Sequence, residues 1–270
     1  MDEIYLFYNN IYNRFNGKVP MLIPGKNALI TGGAIRVGRA ITLGLAKAGA
    51  NVVINYHQDA EKAAHTAREA EKFGVSVLTI QADISDWKQV KRMFAQIHRK
   101  LGPIDILVNN SSLLKPTPLP TNNIEAWLGV TGVLVNGAFY VSNLAAVDML
   151  KKKQGVIVNM VDLTAWTAWP GFAAHVVGKS ALLALTRQLA VDLAPHVRVN
   201  AIAPGPILTP VSYSNGKIKR IAARTLLSRW GTPEDISRTV NFLVESEYIT
   251  AEFITVDGGE RYGYRRAEAR

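Results

Sequence analysis

Thr31-Gly32-Gly33-Ala34-Ile35-Arg36-Val37-Gly38 is the stretch on which the fold of this chain turns. It follows Asn27-Ala28-Leu29-Ile30, a short apolar run that reads as a β-strand. It precedes Arg39 to Gly49, which reads as a helix closed by glycine. Glycines between a strand and a helix let backbone amides approach a pyrophosphate, and the helix N-terminus favours its negative charge. A glycine-rich turn can also be no more than a tight connection. The strand–helix setting is what makes it a dinucleotide-binding candidate here.

The same alternation continues outward. Strand patterns at Asn51–Ile54, Val75–Ile80, Ile104–Val108, Val156–Met160, Val197–Ile202 and Phe253–Val256 alternate with helix patterns. Those helices are expected near Asp59–Phe73, Asp86–Leu101 and Ile124–Lys151, with one that carries Lys179 and runs to about Leu193. Strands separated by helices of ten or more residues imply a parallel sheet covered on both faces. The expected fold is α/β, a doubly wound Rossmann-type sheet in a single domain spanning 26–260. An N-terminal extension (1–25) and a basic tail (261–270) flank it. Ligands of such sheets bind at the carboxyl ends of the strands.

Composition narrows the function classes. The 270 residues are 48% apolar, enough for a sizeable core. The chain has no cysteine, so disulfides and thiolate metal sites are excluded, and no metal is expected. A cytoplasmic setting fits that usage. The net charge of +10 suits an anionic partner. No basic stripe is interleaved with stacking aromatics, so no nucleic acid is expected. Residues 1–25 have neither the basic start nor the apolar core of a signal peptide. The apolar run Leu128–Leu150 contains Asn136, Asn143 and Asp148 and reads as a buried or interface helix, not a membrane span.

The glycine loop resembles that of the short-chain dehydrogenase/reductase family, with Arg36 in place of the middle glycine. That variant is similar to the pteridine reductase branch. The resemblance implies that Thr31, Gly32, Arg36, Val37 and Gly38 hold a nicotinamide dinucleotide. In NAD enzymes an acidic residue at the end of the second strand binds the ribose hydroxyl. Here that place falls at Asn55, followed by Tyr56 and His57. An uncharged residue leaves room for a 2′-phosphate, which Arg36 and His57 could contact, so NADP(H) is the expected cofactor. Asp59 is the opposing sign, since it could lie near the ribose.

Further segments carry the same resemblance. Ala82-Asp83-Ile84 is similar to the family's adenine-pocket segment, with Asp83 accepting from the adenine amino group. Asn109-Asn110-Ser111-Ser112 resembles its Asn-Asn-Ala-Gly, which runs beside the cofactor ribose. Asn200-Ala201-Ile202-Ala203-Pro204-Gly205-Pro206-Ile207 resembles its sixth strand and Pro-Gly loop, with Ile207 near the nicotinamide and Pro206 to Lys217 as a substrate lid. Family members are usually tetramers, so a homo-oligomer (tetramer or dimer) acting on a small-molecule substrate is expected.

The family's catalytic positions are a serine, a tyrosine, a lysine and an asparagine. Asn136 is taken as the asparagine, Asp162 falls at the serine and Lys179 fits the lysine. The tyrosine position holds His175. The pteridine reductase branch also carries aspartate at the serine position. Carbonyl reduction needs a hydride and a proton for the developing alkoxide. An imidazolium is a competent acid, whereas a neutral imidazole only orients or polarises. Leu114 stands where pteridine reductases stack a phenylalanine on the pterin, which counts against that substrate. Three readings stay open: a reductase using His175, Asp162 or water; an impaired dinucleotide-binding protein acting as sensor or assembly partner; and a structural histidine with its acid elsewhere.

Overall fold

A computed structural model describes residues 20–210 and 212–267. Among them lies one seven-stranded sheet in the order β3-β2-β1-β4-β5-β6-β7, with every pairing parallel. The strands are β1 Asn27–Ile30, β2 Asn51–Tyr56, β3 Val77–Gln81, β4 Ile106–Asn109, β5 Gly155–Met160, β6 Val197–Pro204 and β7 Phe253–Val256. The helices are α1 Arg36–Lys47, α2 Ala60–Glu71, α3 Trp87–Lys100, α4 Ile124–Thr131, α5 Ala138–Lys152, α6 Ala173–Asp192, α7 Asn215–Arg224, α8 Pro233–Glu245 and α9 Glu260–Ala267.

Every residue of β1, β4 and β5 is buried, as expected of strands covered on both faces. Successive side chains point to opposite faces, so each strand feeds two cores. Ile30, Val52, Ile106 and Val158 pack with Ile41 and Leu45 of α1 and with Val240 and Leu243 of α8. Leu29, Val53, Leu107 and Ile157 pack on the other face with Phe94 and Ile97 of α3 and with Val141 and Met149 of α5. The doubly wound Rossmann-type architecture follows. The chain switches sides between β1 and β4, and the crevice for a ligand opens at their carboxyl ends.

Several sequence expectations need correction. Met21 and Ile23 are buried in the first core, so the fold begins before residue 26. Residues 1–19 of the expected extension lie outside the described residues. The long helix from Ile124 is not uniform: Gly132–Gly137 is a π-helical segment between α4 and α5. The expected lid already becomes α7 at Asn215, and Val211 within it lies outside the described residues. The expected tail begins as α9, whose Glu260 pairs with Arg224 of α7 at 2.8 Å. The apolar helix Ile124–Lys152 is long enough to cross a membrane, but half of its most apolar window is buried against the rest of the fold.

Candidate active site

The loop after β1 makes a cradle that tolerates no side chain at key points. A Cβ on Gly38 would lie 2.1 Å from the Gly32 carbonyl oxygen. One on Gly32 would meet Ser111 Oγ at 3.0 Å. Ile35, the N-cap of α1, offers no side-chain cap, and the first turn carries no acidic residue. That helix end therefore presents its polar N–H groups and positive dipole to the crevice. Arg36 begins α1 at φ +54°, the left-handed region that glycine adopts without cost. Arg36, Arg39, Lys62, His65 and Ala34 line a common hollow beside the loop. Within it Arg39 and His65 share Glu69, and Lys62 is paired with Asp59.

Several residues expected at the cofactor brace this cradle instead. Thr31 is fully buried, and its Oγ1 accepts from the backbone N–H of Asn110 at 2.9 Å and of Ser111 at 3.0 Å. Asn110 Nδ2 donates to the carbonyls of Thr31 and Gly32. Asn55 is buried as well. Its Oδ1 accepts from Gly32 N–H at 3.4 Å and its Nδ2 donates to the Ala82 carbonyl at 3.0 Å. Both ends of that amide are committed within the fold, so Asn55, expected at the cofactor, ties the glycine loop to the segment after β3. The strand runs on to Tyr56, which packs beside Ala34 and Ile54. His57 is exposed, 3.9 Å from Asp83.

Asp59 caps α2 by accepting from Lys62 N–H and pairs with the Lys62 ammonium at 2.5 Å. These bonds hold the carboxyl below the usual carboxylate range and occupy it. Asp83 Oδ1 accepts from the N–H and hydroxyl of Ser85. The Ile84 side chain fills core space against Gly137, which leaves only its backbone to meet a ligand. Gly205 is held against Asp257, where a Cβ would come within 2.7 Å, and its N–H donates to the Val256 carbonyl. Pro204 ends β6 and Ile207 is buried in the first core.

At the carboxyl end of β5, His175 Nε2 lies 2.7 Å from Asp162 Oδ2. Asp162 Oδ1 accepts from Thr164 N–H at 2.8 Å and from the Thr164 hydroxyl. His175 is 5% exposed, and its Nδ1 is buried without a hydrogen-bond partner. The Asp162 side chain is 26% exposed. Lys179, one turn along α6 from His175, is buried and donates from Nζ to the Met160 carbonyl at 2.7 Å. Burial by itself raises the Asp162 carboxyl. The bond from His175, the charge of Lys179 and the Thr164 hydroxyl outweigh it and hold the group below the usual range. Burial pushes the Lys179 ammonium down, partly offset by Asp162.

Asn136 does not join this cluster. It is exposed and its side chain makes no hydrogen bond among the described residues. Two positions earlier, about half a helical turn away, Leu134 is buried and packs on Gly178 of α6. The residue turned toward α6 is therefore apolar, and the expected placement of Asn136 beside the reacting groups is corrected. Nothing in the sequence singles out Trp169, yet its ring lies at 82° to that of His175 with centroids 6.2 Å apart.

Residues 33–260 match the sequence family described as enoyl-(acyl carrier protein) reductase. The 3-oxoacyl-(acyl-carrier-protein) reductase FabG of Staphylococcus aureus is 34% identical over 239 residues, 87% of this chain and 97% of that one. The enzyme of the same name from Thermotoga maritima is 33% identical over 244 residues, 88% of this chain and 99% of its own. Among solved structures, acetoin dehydrogenase YohF from Salmonella typhimurium superimposes with a TM-score of 0.81 at 32% identity, covering 88% of this chain and 96% of that one.

Proposed function

The chain belongs to the short-chain dehydrogenase/reductase family, and we propose that it is a cytoplasmic, homo-oligomeric NADP(H)-dependent reductase of a small carbonyl or pterin-like substrate. The observation that carries this reading is the contact of His175 Nε2 with Asp162 Oδ2 at 2.7 Å beside buried Lys179. NADP(H), when bound, supplies the hydride. The chain's own residues must bind, orient and provide one proton.

The 2′-phosphate preference rests on Arg36, Arg39, Lys62 and His65 around one hollow. Asp59 is paired with Lys62, and Glu69 with Arg39 and His65, which leaves Arg36 as the cation of the hollow without a carboxylate partner among the described residues. Thr31, Gly32, Val37, Gly38, Asn110 and Ser111 shape the pyrophosphate and ribose cradle. His57, Asp83, Ile84, Pro204, Gly205 and Ile207 flank it. Lys179 is assigned to the nicotinamide ribose, and its charge favours the ionised form of Asp162.

The proton step follows from exposure. Nδ1 of His175 reaches no solvent and no partner, so protons enter and leave the ring at Nε2, the side held by Asp162. Asp162 is the more exposed member and faces the crevice. A substrate oxygen that develops negative charge must displace Asp162 Oδ2 from the Nε2–H of the imidazolium in order to take that proton. The ring is left neutral beside the carboxylate and is recharged from solvent along the Asp162 side. Arg36 and Asp162 support a pterin-like substrate; Leu114 and His175 weigh toward another small carbonyl.

A second reading has its own observation. His175 is buried, and the residue packed on Gly178 of α6 is the apolar Leu134. On that reading the chain binds the dinucleotide without turnover, as a sensor or assembly partner. NADPH binding by fluorescence, followed by NADPH oxidation across a panel of carbonyls and pterins, separates the two. Binding with turnover supports the reductase. Binding without turnover of any substrate supports the second.

A further inference from the structure

We infer that the substrate presents a flat aromatic or heteroaromatic face and that Trp169 is the surface on which it stacks. This deepens the reductase reading above and rests on it. Trp169 stands in the loop between β5 and α6, and it is 43% exposed. One indole face lies on Phe172, with centroids 4.3 Å apart and planes 27° from parallel. Its ring lies at 82° to that of His175. Phe172 covers one face, and 43% of the residue stays exposed with its ring centroid 6.2 Å from that of His175. An exposed indole beside the Asp162–His175 pair can hold a flat partner by offset stacking.

The loop is also held in place. Thr117, fully buried in the segment after β4, donates its N–H to the Gly171 carbonyl at 2.7 Å. Its carbonyl accepts from Ala173 N–H at 3.3 Å, and its Oγ1 accepts from Ala174 N–H at 2.9 Å. Phe172 N–H closes the turn on the Trp169 carbonyl at 3.2 Å. The indole is thus pre-ordered, and a ligand that stacks on it does not have to order the loop. A planar carbonyl compound stacked on the indole would lie within reach of His175, whose ring centroid is 6.2 Å from that of Trp169. An aliphatic 3-oxoacyl chain, the substrate named for the FabG relatives, gains little from such a surface.

The test compares Trp169→Ala and Trp169→Phe with the unaltered protein loaded with NADPH. The probes are isatin, a planar benzo-fused heterocyclic carbonyl, and ethyl acetoacetate, an aliphatic one. Binding is read by calorimetry and turnover by NADPH oxidation. We expect isatin affinity to fall about tenfold in Trp169→Ala and to be largely kept in Trp169→Phe, with ethyl acetoacetate unchanged. Equal losses for both probes, or none for isatin, overturn the inference. Calorimetry keeps the two failures apart. Isatin binding that depends on Trp169 without turnover leaves the stacking surface standing and counts against the reductase reading. Turnover indifferent to Trp169 does the reverse.

Discussion

His175 and Asp162 meet through the distal ring nitrogen, Nε2 to Oδ2 at 2.7 Å, while the other ring nitrogen is buried without a partner. A histidine in this position therefore has a single working atom, and the carboxylate sits beside it. The chemistry of the site is that of the pair.

Removal of the charge on Asp162 should show in stability as well as in rate. Its carboxyl is depressed in the folded state, mainly by His175, Lys179 and Thr164 acting against burial. A depressed acid stabilises the fold fully above its unfolded value of about 3.9 and loses that contribution as pH falls through the folded value. Asp162→Asn should therefore cost about 1–3 kcal/mol near pH 7. The gap between the melting curves of the two proteins should hold down to about pH 5 and close below about pH 4.

Arg36 offers two effects of opposite sign. Its backbone is at φ +54°, so Arg36→Gly relieves a left-handed conformation worth roughly 1 kcal/mol and should raise the melting temperature. The same change removes a cation from the hollow shared with Arg39 and Lys62. NADPH affinity should fall about tenfold, the loss of about 1.4 kcal/mol, with NADH affinity unchanged. Calorimetric titration of both cofactors reads the split.

Gly38 tests the cradle. A methyl group there collides with the Gly32 carbonyl, and neither backbone can move without disturbing Asn110 and Thr31. Gly38→Ala should cost about 1–3 kcal/mol of stability and abolish measurable NADPH binding. An unchanged dissociation constant would remove the loop from the cofactor site.

The exposed apolar side chains Leu128 and Phe139 on the helix Ile124–Lys152 bear on assembly. If that helix joins copies of the chain, Leu128→Glu with Phe139→Glu should turn a tetramer or dimer into monomers in sedimentation experiments. The site lies elsewhere, so NADPH affinity should stay within about twofold, a difference well under 1 kcal/mol.

Much of the fold was legible because its signals are local and repeat. The apolar runs Asn27–Ile30 and Val156–Met160 are buried on both faces and needed no alternation to be read as strands. The Asp162–His175–Lys179 spacing was legible for the same reason, since it lies on one strand end and one helix. Asn136 was misread because spacing along a sequence does not say which side of a π-distorted helix a residue faces. The bracing role of Asn55 was not legible, because its partners Gly32 and Ala82 come from the loops after β1 and β3. Trp169 gave no signal, because its role depends on Phe172 and His175 being brought around it.

The most direct test of the central claim is the steady-state rate of NADPH oxidation by His175→Gln with a substrate the unaltered protein reduces. Glutamine can keep a donor on Asp162 but holds no transferable proton. We expect NADPH affinity within about twofold of the unaltered protein and a turnover lower by about 100-fold or more. An unchanged turnover would contradict the account and place the proton source outside the Asp162–His175 pair.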